Sequence, residues 1–447
     1  MNTPILDFVR KYDNSGMKRF HMPGHKGRRI LGCENWDITE VQGADALYEA
    51  EGIIAESEAN ATKLFGSGRT LYSTEGSSQC IRAMLYLAIT NRKRGTAPVI
   101  VAARNVHKAF VYAAALLDFE VVWLWPEESD SLCGCPVSEE QLEETLSRMS
   151  EPPAAVYLTS PDYLGGMADI SAMAGICHRY ETLLLIDNAH GAYLHFLQPS
   201  LHPLDLGADM CCDSAHKTLP VLTGGAYLHI SDRVSGKIGK SAKMAMALFG
   251  STSPSYLILA SLDACNAELA DGFRDKLKET VKKINLIKEK ISANGWMVEE
   301  SDPLRITLRA PEGMTGDELA RKLRCEGIEC EFADDTFLVM MLTAGNDFKD
   351  MEKMLDALGK NVCPPREKEV LQMADGEQKI SIREAIFLPH EMVPVERALG
   401  RICGAPTVSC PPAIPIAVSG EIIGDTAVRL FRRYGIENVD VIKTDND

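Results

Sequence analysis

Short apolar runs alternate with segments of helical periodicity between about residues 60 and 265 of the chain. The runs are rich in β-branched, aromatic and other apolar residues and are bounded by polar turn formers, which predicts buried strands. Strands that alternate with helices predict an α/β fold, with a mainly parallel sheet covered by helices on both faces. The predicted strands are 98–103, 120–125, 154–159, 182–187, 208–212 and 225–230, and the predicted helices include 77–95 and 139–150.

The pattern changes beyond residue 265. Residues 270–295 form a highly charged helical segment, which indicates a solvated face and a domain boundary. Pro364 and Pro365, with the charged residues after them, predict a linker. A strand at 304–310, a helix at 315–327, a strand at 330–342 and a helix at 347–360 predict a small α/β domain. The predicted division is an N-terminal segment 1–60, a large domain 61–268, a small α/β domain 269–363 and a C-terminal module 364–447.

Composition and charge exclude several classes of protein. With 447 residues, 45% of them hydrophobic, the chain can bury a sizeable core. Its net charge of −16 argues against a nucleic acid or an anionic membrane as a partner. The first residues lack the apolar region of a signal peptide, and no stretch reaches the roughly 18 apolar residues that a membrane helix needs. A cytoplasmic location is therefore predicted.

The cysteines point to reduced thiols. There are 13 of them, an odd number, and Cys177, Cys211 and Cys212 lie inside apolar runs, as core thiols do. Cys133 and Cys135 are close together, but no second cysteine cluster accompanies them as it does in structural zinc sites. No metal site is expected.

Polar residues cluster where four of the predicted strands end. In open α/β sheets, ligands bind beyond the carboxyl ends of the strands. These ends therefore predict the position of a binding site. The clusters are Arg104, Asn105 and His107; Ser160, Pro161 and Asp162; Asp187 and His190; and Ser214, His216 and Lys217.

A lysine at such a strand end suggests one particular chemistry. The amine of Lys217 can form a Schiff base with an aldehyde, and pyridoxal phosphate is the commonest such aldehyde in enzymes. Its phosphate needs a helix N-terminus, and its ring nitrogen needs an anionic partner. Asp187 supplies the anion, and His107 or His190 could stack on the ring. The phosphate-binding candidates are Gly76, Ser77 and Ser78, which open a predicted helix.

Each of these features also has an ordinary structural explanation. A Gly-Ser-Ser segment before a helix is usually an N-cap, and an aspartate after a strand is usually a turn former. The sequence around Lys217 alone would suggest a solvated loop, and His107 alone a surface or core histidine. Their order along the chain, at successive strand ends, favours the cofactor interpretation.

The sequence resembles the fold-type I, pyridoxal-phosphate-dependent Orn/Lys/Arg decarboxylases, in particular the short bacterial members without the N-terminal wing domain. HMPGHKG and SAHKT together make the resemblance specific, and it covers nearly the whole chain. The similar segments are FHMPGHKG (20–27), residues 37–67, RNVHK (104–108), TSPDYLG (159–165), DNAHGAY (187–193), DSAHKTL (213–219), STSPSY (251–256) and residues 400–421.

The resemblance implies a role for each site residue. Lys217 would carry the cofactor, Asp187 would pair with its ring nitrogen, and His107 would stack on the ring. His216 would orient the cofactor linkage or help to protonate the product. The phosphate would be held by Gly76, Ser77, Ser78 and Ser214, and by Thr252 and Ser253 of a second subunit, so that the active unit is a homodimer or a higher homo-oligomer with shared sites.

The implied reaction is decarboxylation of lysine, arginine or ornithine to CO2 and an amine of the polyamine pathway. An aminotransferase acting on an amino acid is the alternative, and a catalytically silent regulatory homologue is a second one. Asp45, Asp162 and Glu384 are the candidates for reading the substrate's side chain. The sequence departs from the family pattern at Glu75, Asp162, Cys410 and Ala413, which leaves the identity of the substrate open.

Overall fold

The computed structural model describes residues 1–92, 97–359, 364, 366–373, 376–406 and 413–444. The chain divides into two compact units, each assembled from separate stretches of sequence. The first comprises Met1–Arg92, Ile170–Arg179 and Leu183–Lys278, and the second comprises Lys93–Asp169, Tyr180–Thr182 and Glu279–Asp447. The four-part division drawn from the sequence stays a prediction.

Helices and strands alternate along much of the described chain. The helices are α1 (Pro4–Asn14), α2 (Ile53–Leu64), α3 (Ser77–Asn91), α4 (Lys108–Leu117), α5 (Glu139–Ser147), α6 (Ile170–Arg179), α7 (Ala215–Thr218), α8 (Asp232–Ile238), α9 (Ala242–Leu248), α10 (Tyr256–Ala270), α11 (Phe273–Ala293), α12 (Gly316–Cys325), α13 (Phe348–Leu358), α14 (Ile382–Phe387) and α15 (Asp425–Arg433). The strands are β1 (Arg69–Ser73), β2 (Val99–Ala103), β3 (Glu120–Leu124), β4 (Ala155–Thr159), β5 (Leu183–Asp187), β6 (Met210–Asp213), β7 (Ala226–Ile230), β8 (Met297–Glu299), β9 (Arg305–Arg309), β10 (Phe332–Ala333), β11 (Phe337–Met341), β12 (His390–Pro394) and β13 (Asn438–Ile442).

The first unit is built on strands in the order β1-β7-β6-β5. Strands β5 and β6 run parallel, whereas β7 is antiparallel to both β6 and β1. Every residue of β6 and β7 is buried, as are Leu184, Leu185 and Ile186 of β5. These strands are covered on both faces, which explains why they read as continuous apolar runs.

The described residues of the second unit include three groups of paired strands. Strands β4, β2 and β3 lie in that order and are parallel. A second sheet has the antiparallel order β10-β11-β9-β8, and β12 pairs with β13 in an antiparallel ribbon. Val395, Phe431 and Val441 belong to the apolar cluster beside this ribbon.

The six strands predicted in the first half of the chain correspond to β2 through β7, and the α/β fold class is confirmed. The predicted strand 330–342 is instead two strands, because Asp334 accepts hydrogen bonds from the amides of Thr336 (2.8 Å) and Phe337 (2.6 Å) and makes a turn between them. Strands β1, β8, β12 and β13 were not predicted. Cys410, Pro365 and the end of the predicted helix 77–95 lie outside the described residues.

Two further features can be stated for the described part of the chain. None of its helices combines the length and the apolarity that are needed to span a bilayer. Its cysteines are free thiols, and those of β6, Cys211 and Cys212, are fully buried.

Candidate active site

The parallel strands β5 and β6 end side by side in the first unit. Asp187, the last residue of β5, is in register with Cys212 of β6. The chain leaves β6 through Ser214 and enters the four-residue helix α7, which carries Lys217. The side chains that follow both strands therefore start from the same edge of the sheet.

Lys217 contacts a residue that follows β5. Its amine Nζ lies 3.0 Å from Nε2 of His190, within hydrogen-bond distance. His190 is buried, whereas Lys217 is half-buried. His190 was expected from the sequence only as a ring-stacking group, so the contact with Lys217 is a feature that sequence reasoning missed. The separation of 27 residues along the chain gives no local signal for it.

Asp187 is buried at the end of β5. Its Oδ1 accepts a hydrogen bond from the amide of Ala189 at 3.2 Å, and the thiol of Cys212 donates to the same atom at 3.6 Å. These contacts orient the carboxylate at the edge where Lys217 emerges from α7.

His216 is turned toward a backbone carbonyl. Its Nδ1 lies 3.0 Å from the carbonyl oxygen of Gly225, which can only accept, so we assign the ring proton to Nδ1. Burial lowers the pKa of His216, the hydrogen bond to Gly225 opposes this, and the charge of Lys217 adds to the lowering. The ring is therefore neutral near pH 7, with Nε2 as a proton acceptor.

Gly76 caps the N-terminus of α3 with a left-handed φ of +69°. Its amide donates to the carbonyl of Gly224 at 2.7 Å, and the hydroxyl of Ser73 donates to its carbonyl at 3.0 Å. Glycine has no side chain to cap the first-turn amides, and the half-buried Ser77 and Ser78 form that turn. The arrangement provides amides and hydroxyls for an anion.

The STSPSY segment lies beside this helix N-terminus within the first unit. The amide of Ser251 donates to Oε1 of Glu75 at 2.5 Å, and the amide of Ser253 donates to the hydroxyl of Ser251 at 3.1 Å. Thr252 and Ser253 are exposed. Glu75, a departure from the family pattern, thus uses its carboxylate to hold the segment that follows Gly250.

The second unit carries the residues that follow β2. His107 is the N-cap of α4, and its Nδ1 accepts from the amide of Ala109 at 3.1 Å. Arg104 is buried and donates to the carbonyls of Pro415 and Ile416 at 2.9 and 3.0 Å. Arg104 therefore has a structural task, and the stacking role of His107 stays a prediction.

The three acidic candidates for substrate recognition lie in different settings. Asp45 accepts from the amides that precede and begin α2, including that of Gly52 at 2.9 Å. Asp162 accepts from the amides of Leu164 and Gly166 at 2.9 and 2.8 Å, and burial raises its pKa to about 6. Glu384 is exposed in the first turn of α14. The carboxylates of Asp45 and Asp162 are thus already committed to backbone amides.

Solved structures with this fold include lysine decarboxylases and more distant enzymes. The Francisella novicida lysine decarboxylase LdcF aligns with a TM-score of 0.81 over 99% of this chain and 81% of its own, at 17% identity. The constitutive lysine decarboxylase of E. coli aligns with a TM-score of 0.79 at 17% identity, over 99% of this chain and 82% of its own. At such identities the likeness defines the class of fold, that of the lysine decarboxylases.

The sequence itself identifies the family. Residues 3–310 match the model of the Orn/Lys/Arg decarboxylase major domain. An arginine decarboxylase of Bacillus subtilis is 27% identical over 473 residues, which cover 98% of this chain and 94% of its own. The chain belongs to the Orn/Lys/Arg decarboxylase family, and the expected enzyme class, an amino-acid carboxy-lyase, is confirmed.

Proposed function

We propose that the enzyme is a pyridoxal-phosphate-dependent decarboxylase that converts lysine, arginine or ornithine to CO2 and an amine used in polyamine synthesis. The observation that carries the proposal is the 3.0 Å approach of Lys217 Nζ to His190 Nε2, at the sheet edge where Asp187 also lies. An amine, an imidazole and a carboxylate in this setting suit a carbonyl cofactor with a basic ring nitrogen.

The residues present fit this cofactor. A Cβ built on Gly76 meets nothing within 4 Å, so there is open space beside the residue that precedes α3, where a phosphate would bind. Ser77, Ser78 and Ser214 would add hydroxyls. Asp187 supplies the anion for the ring nitrogen, and Lys217 supplies the amine. When bound, pyridoxal phosphate supplies an electron sink for the bond that breaks at the α-carbon.

The chain's own side chains then divide the remaining work. Lys217 would hold the cofactor, and His190 would orient the amine of Lys217. The negative charge of Asp187 would favour the protonated form of the cofactor's ring nitrogen. His216, unprotonated at Nε2, would exchange protons near Lys217, and His107 would cover one face of the ring.

The proposal includes assembly and location. We propose a homodimer, or a higher homo-oligomer of such dimers, in which Thr252 and Ser253 reach the partner's cofactor phosphate. Their exposure supports this, as do the exposed apolar residues Phe20, Ile30 and Leu31, which are 79–95% accessible in the single chain. We also propose a cytoplasmic location, which the free thiols of the described cysteines support.

Product analysis tests the reaction. The purified enzyme with pyridoxal phosphate is incubated separately with lysine, arginine and ornithine, and CO2, amine and 2-oxo acid are measured. Release of CO2 with one matching amine is expected, and the Lys217→Ala variant is the inactive control. Formation of a 2-oxo acid without CO2 would identify an aminotransferase, and the absence of all products would identify a silent homologue.

A further inference from the structure

A fully buried carboxylate lies behind the site, at the end of β6. Asp213 Oδ1 accepts from Nδ2 of Asn188 at 2.7 Å. Its Oδ2 accepts from Nε2 of His202 at 3.1 Å and lies 3.2 Å from Nε2 of His229, without the alignment of a hydrogen bond. All four side chains are buried to the point of zero exposure. Burying a carboxylate is costly unless donors surround it in this way.

The two histidines are themselves held in place. His229 lies on β7, and its Nδ1 is 2.8 Å from the hydroxyl of Thr70 on β1. The ring of Phe65 packs against both histidines, with centroids 4.6 Å from that of His229 and 6.0 Å from that of His202. Asp213 is therefore held by buried residues of β7 and of the connection between β5 and β6.

The surroundings keep Asp213 ionised. Burial alone would raise the pKa of Asp213, but its contacts with His202 and His229 outweigh burial and hold the pKa below its ordinary value. A hydrogen bond to an ionised acceptor is stronger than one to a neutral acceptor. The side-chain amide of Asn188 thus donates a strong hydrogen bond to a carboxylate at the end of β6.

Asn188 connects this carboxylate to the proposed cofactor site. It follows Asp187 directly, its backbone amide donates to the carbonyl of Cys212 at 3.0 Å, and its side chain reaches Asp213. A Cβ on Gly191 would lie 2.0 Å from Oδ1 of Asn188, so this side chain is closely packed on its other side. Asn188 therefore ties the end of β5 to the end of β6 at two points.

We propose that Asp213 is a positioning residue: braced by His202 and His229, it holds Asn188 and so fixes the spacing between Asp187 and Lys217. The inference rests on the proposed function in that Asp187 and Lys217 are taken to bind the cofactor. Asp213 itself touches neither cofactor nor substrate in this proposal.

The test compares Asp213→Asn with Asp209→Asn. The first change keeps the shape of the side chain but removes its charge and one acceptor. Asp209 is a matched control, because it is also fully buried, adjoins the other end of β6 and is held by Arg233 (2.7 Å) and the amide of Leu184 (2.8 Å). Four quantities are measured in both variants: hydrogen–deuterium exchange of amides 188–192 and 214–218, affinity for pyridoxal phosphate, kcat and KM.

In Asp213→Asn we expect exchange in both segments to accelerate about tenfold or more. Cofactor affinity and kcat should each fall about tenfold, with KM within about twofold, since geometry rather than substrate binding is lost. Asp209→Asn should leave all of these within about twofold, even if its melting temperature falls. Asn188→Ala, which removes the side-chain amide that bonds to Asp213, should give the same changes as Asp213→Asn. It replaces Asp213→Asn in the test if that variant does not fold.

Two outcomes overturn the inference. One is an Asp213→Asn protein in which exchange, cofactor affinity and kcat stay within about twofold of wild type. The other is an Asp209→Asn protein with the same losses, because the effect would then be general destabilisation. A wild-type enzyme that neither binds pyridoxal phosphate nor releases CO2 refutes the proposed function instead, and the exchange measurement still decides whether Asp213 positions the two strand ends.

Discussion

Lys217 and His216 are adjacent in sequence but meet different surroundings. Successive residues of a helix point about 100° apart, so neighbours on α7 face different groups. His216 bonds to the carbonyl of Gly225, whereas Lys217 reaches His190 from the loop after β5. The first contact fixes a tautomer, and the second holds an amine. One turn of helix thus directs an imidazole and an amine toward different partners.

Replacing Lys217 with alanine is expected to abolish covalent attachment of the cofactor, because the amine that forms the bond is gone. Borohydride reduction followed by peptide mass spectrometry should find the adduct on the Lys217 peptide of the wild type and on no peptide of the variant. Lys243 is an internal control, since its amine is bound to Glu58 at 2.7 Å and should stay unmodified. An adduct on another lysine of the variant would place the attachment elsewhere.

The Asp162→Asn variant tests whether the carboxylate of Asp162 has a structural role or binds the substrate's side chain. The asparagine oxygen can still accept from the amides of Leu164 and Gly166, but the charge is lost. We expect KM for the preferred amino acid to change less than about threefold. A carboxylate that bound the cationic end of the substrate's side chain would lower KM about tenfold or more, so its loss would have a larger effect. A tenfold rise in KM with unchanged stability would assign Asp162 to the substrate.

The same variant should change how stability depends on pH. Burial raises the pKa of Asp162 from 3.8 to about 6, so its contribution to stability is complete below about pH 4 and is lost as pH rises through 6. Urea unfolding should show this loss, on the order of 2–3 kcal/mol, in the wild type and not in Asp162→Asn. Asp263 and Asp334 also have pKa values of about 6, and the difference between the two proteins removes their contribution. Parallel pH profiles would contradict the assignment.

At the scale of elements, the strands that are buried on both faces are the ones best predicted from the sequence. Strands β2 to β7 were visible as apolar runs, whereas β1 was not, because its buried positions include Thr70 and Ser73. Their hydroxyls form hydrogen bonds with His229 and Gln79, so these polar residues can be buried in the core. The sequence alone does not show these partners.

The same limit applies to the site. Lys217, Asp187 and Gly76 could be placed at element ends from local sequence, because turns and strand ends have local signals. The contact between His190 and Lys217 and the brace behind Asp213 depend on how β5, β6 and β7 pack. Partners so distant in sequence are fixed by tertiary structure, which a pattern of polar and apolar residues does not specify.

The N-terminus of α3 offers an element-scale prediction. Gly76→Ala and Gly313→Ala place a Cβ at φ values of +69° and +78°, with nothing within 4 Å in either case. Both should therefore lose about 1 kcal/mol of stability from backbone strain alone. Only Gly76→Ala is expected to weaken pyridoxal phosphate binding, by about tenfold or more, since it shifts the first-turn amides of α3. Equal affinities in a fluorescence titration of the two variants would contradict phosphate binding there.

At the scale of the whole molecule, the exposed start of the STSPSY segment, residues 251–253, allows two architectures. The amide of Ser251 bonds to Glu75 of the same chain, which favours a site completed within one subunit. The exposure of Thr252 and Ser253 and of the apolar residues Phe20 and Leu31 favours a site completed by a second subunit. In the second case cofactor affinity and dimerisation are linked, and dilution releases cofactor.

Mixing two inactive variants distinguishes these architectures. One chain carries Lys217→Ala, and the other carries Thr252→Ala with Ser253→Ala. If the loop serves the partner's site, a heterodimer has one site with both its lysine and its phosphate loop intact, so activity should return to at most about half the wild-type value per dimer. Each variant incubated alone is the control, and subunit exchange is verified by native mass spectrometry. If heterodimers form yet stay as inactive as their parents, the segment serves its own chain's site, and the Ser251–Glu75 contact is then its anchor.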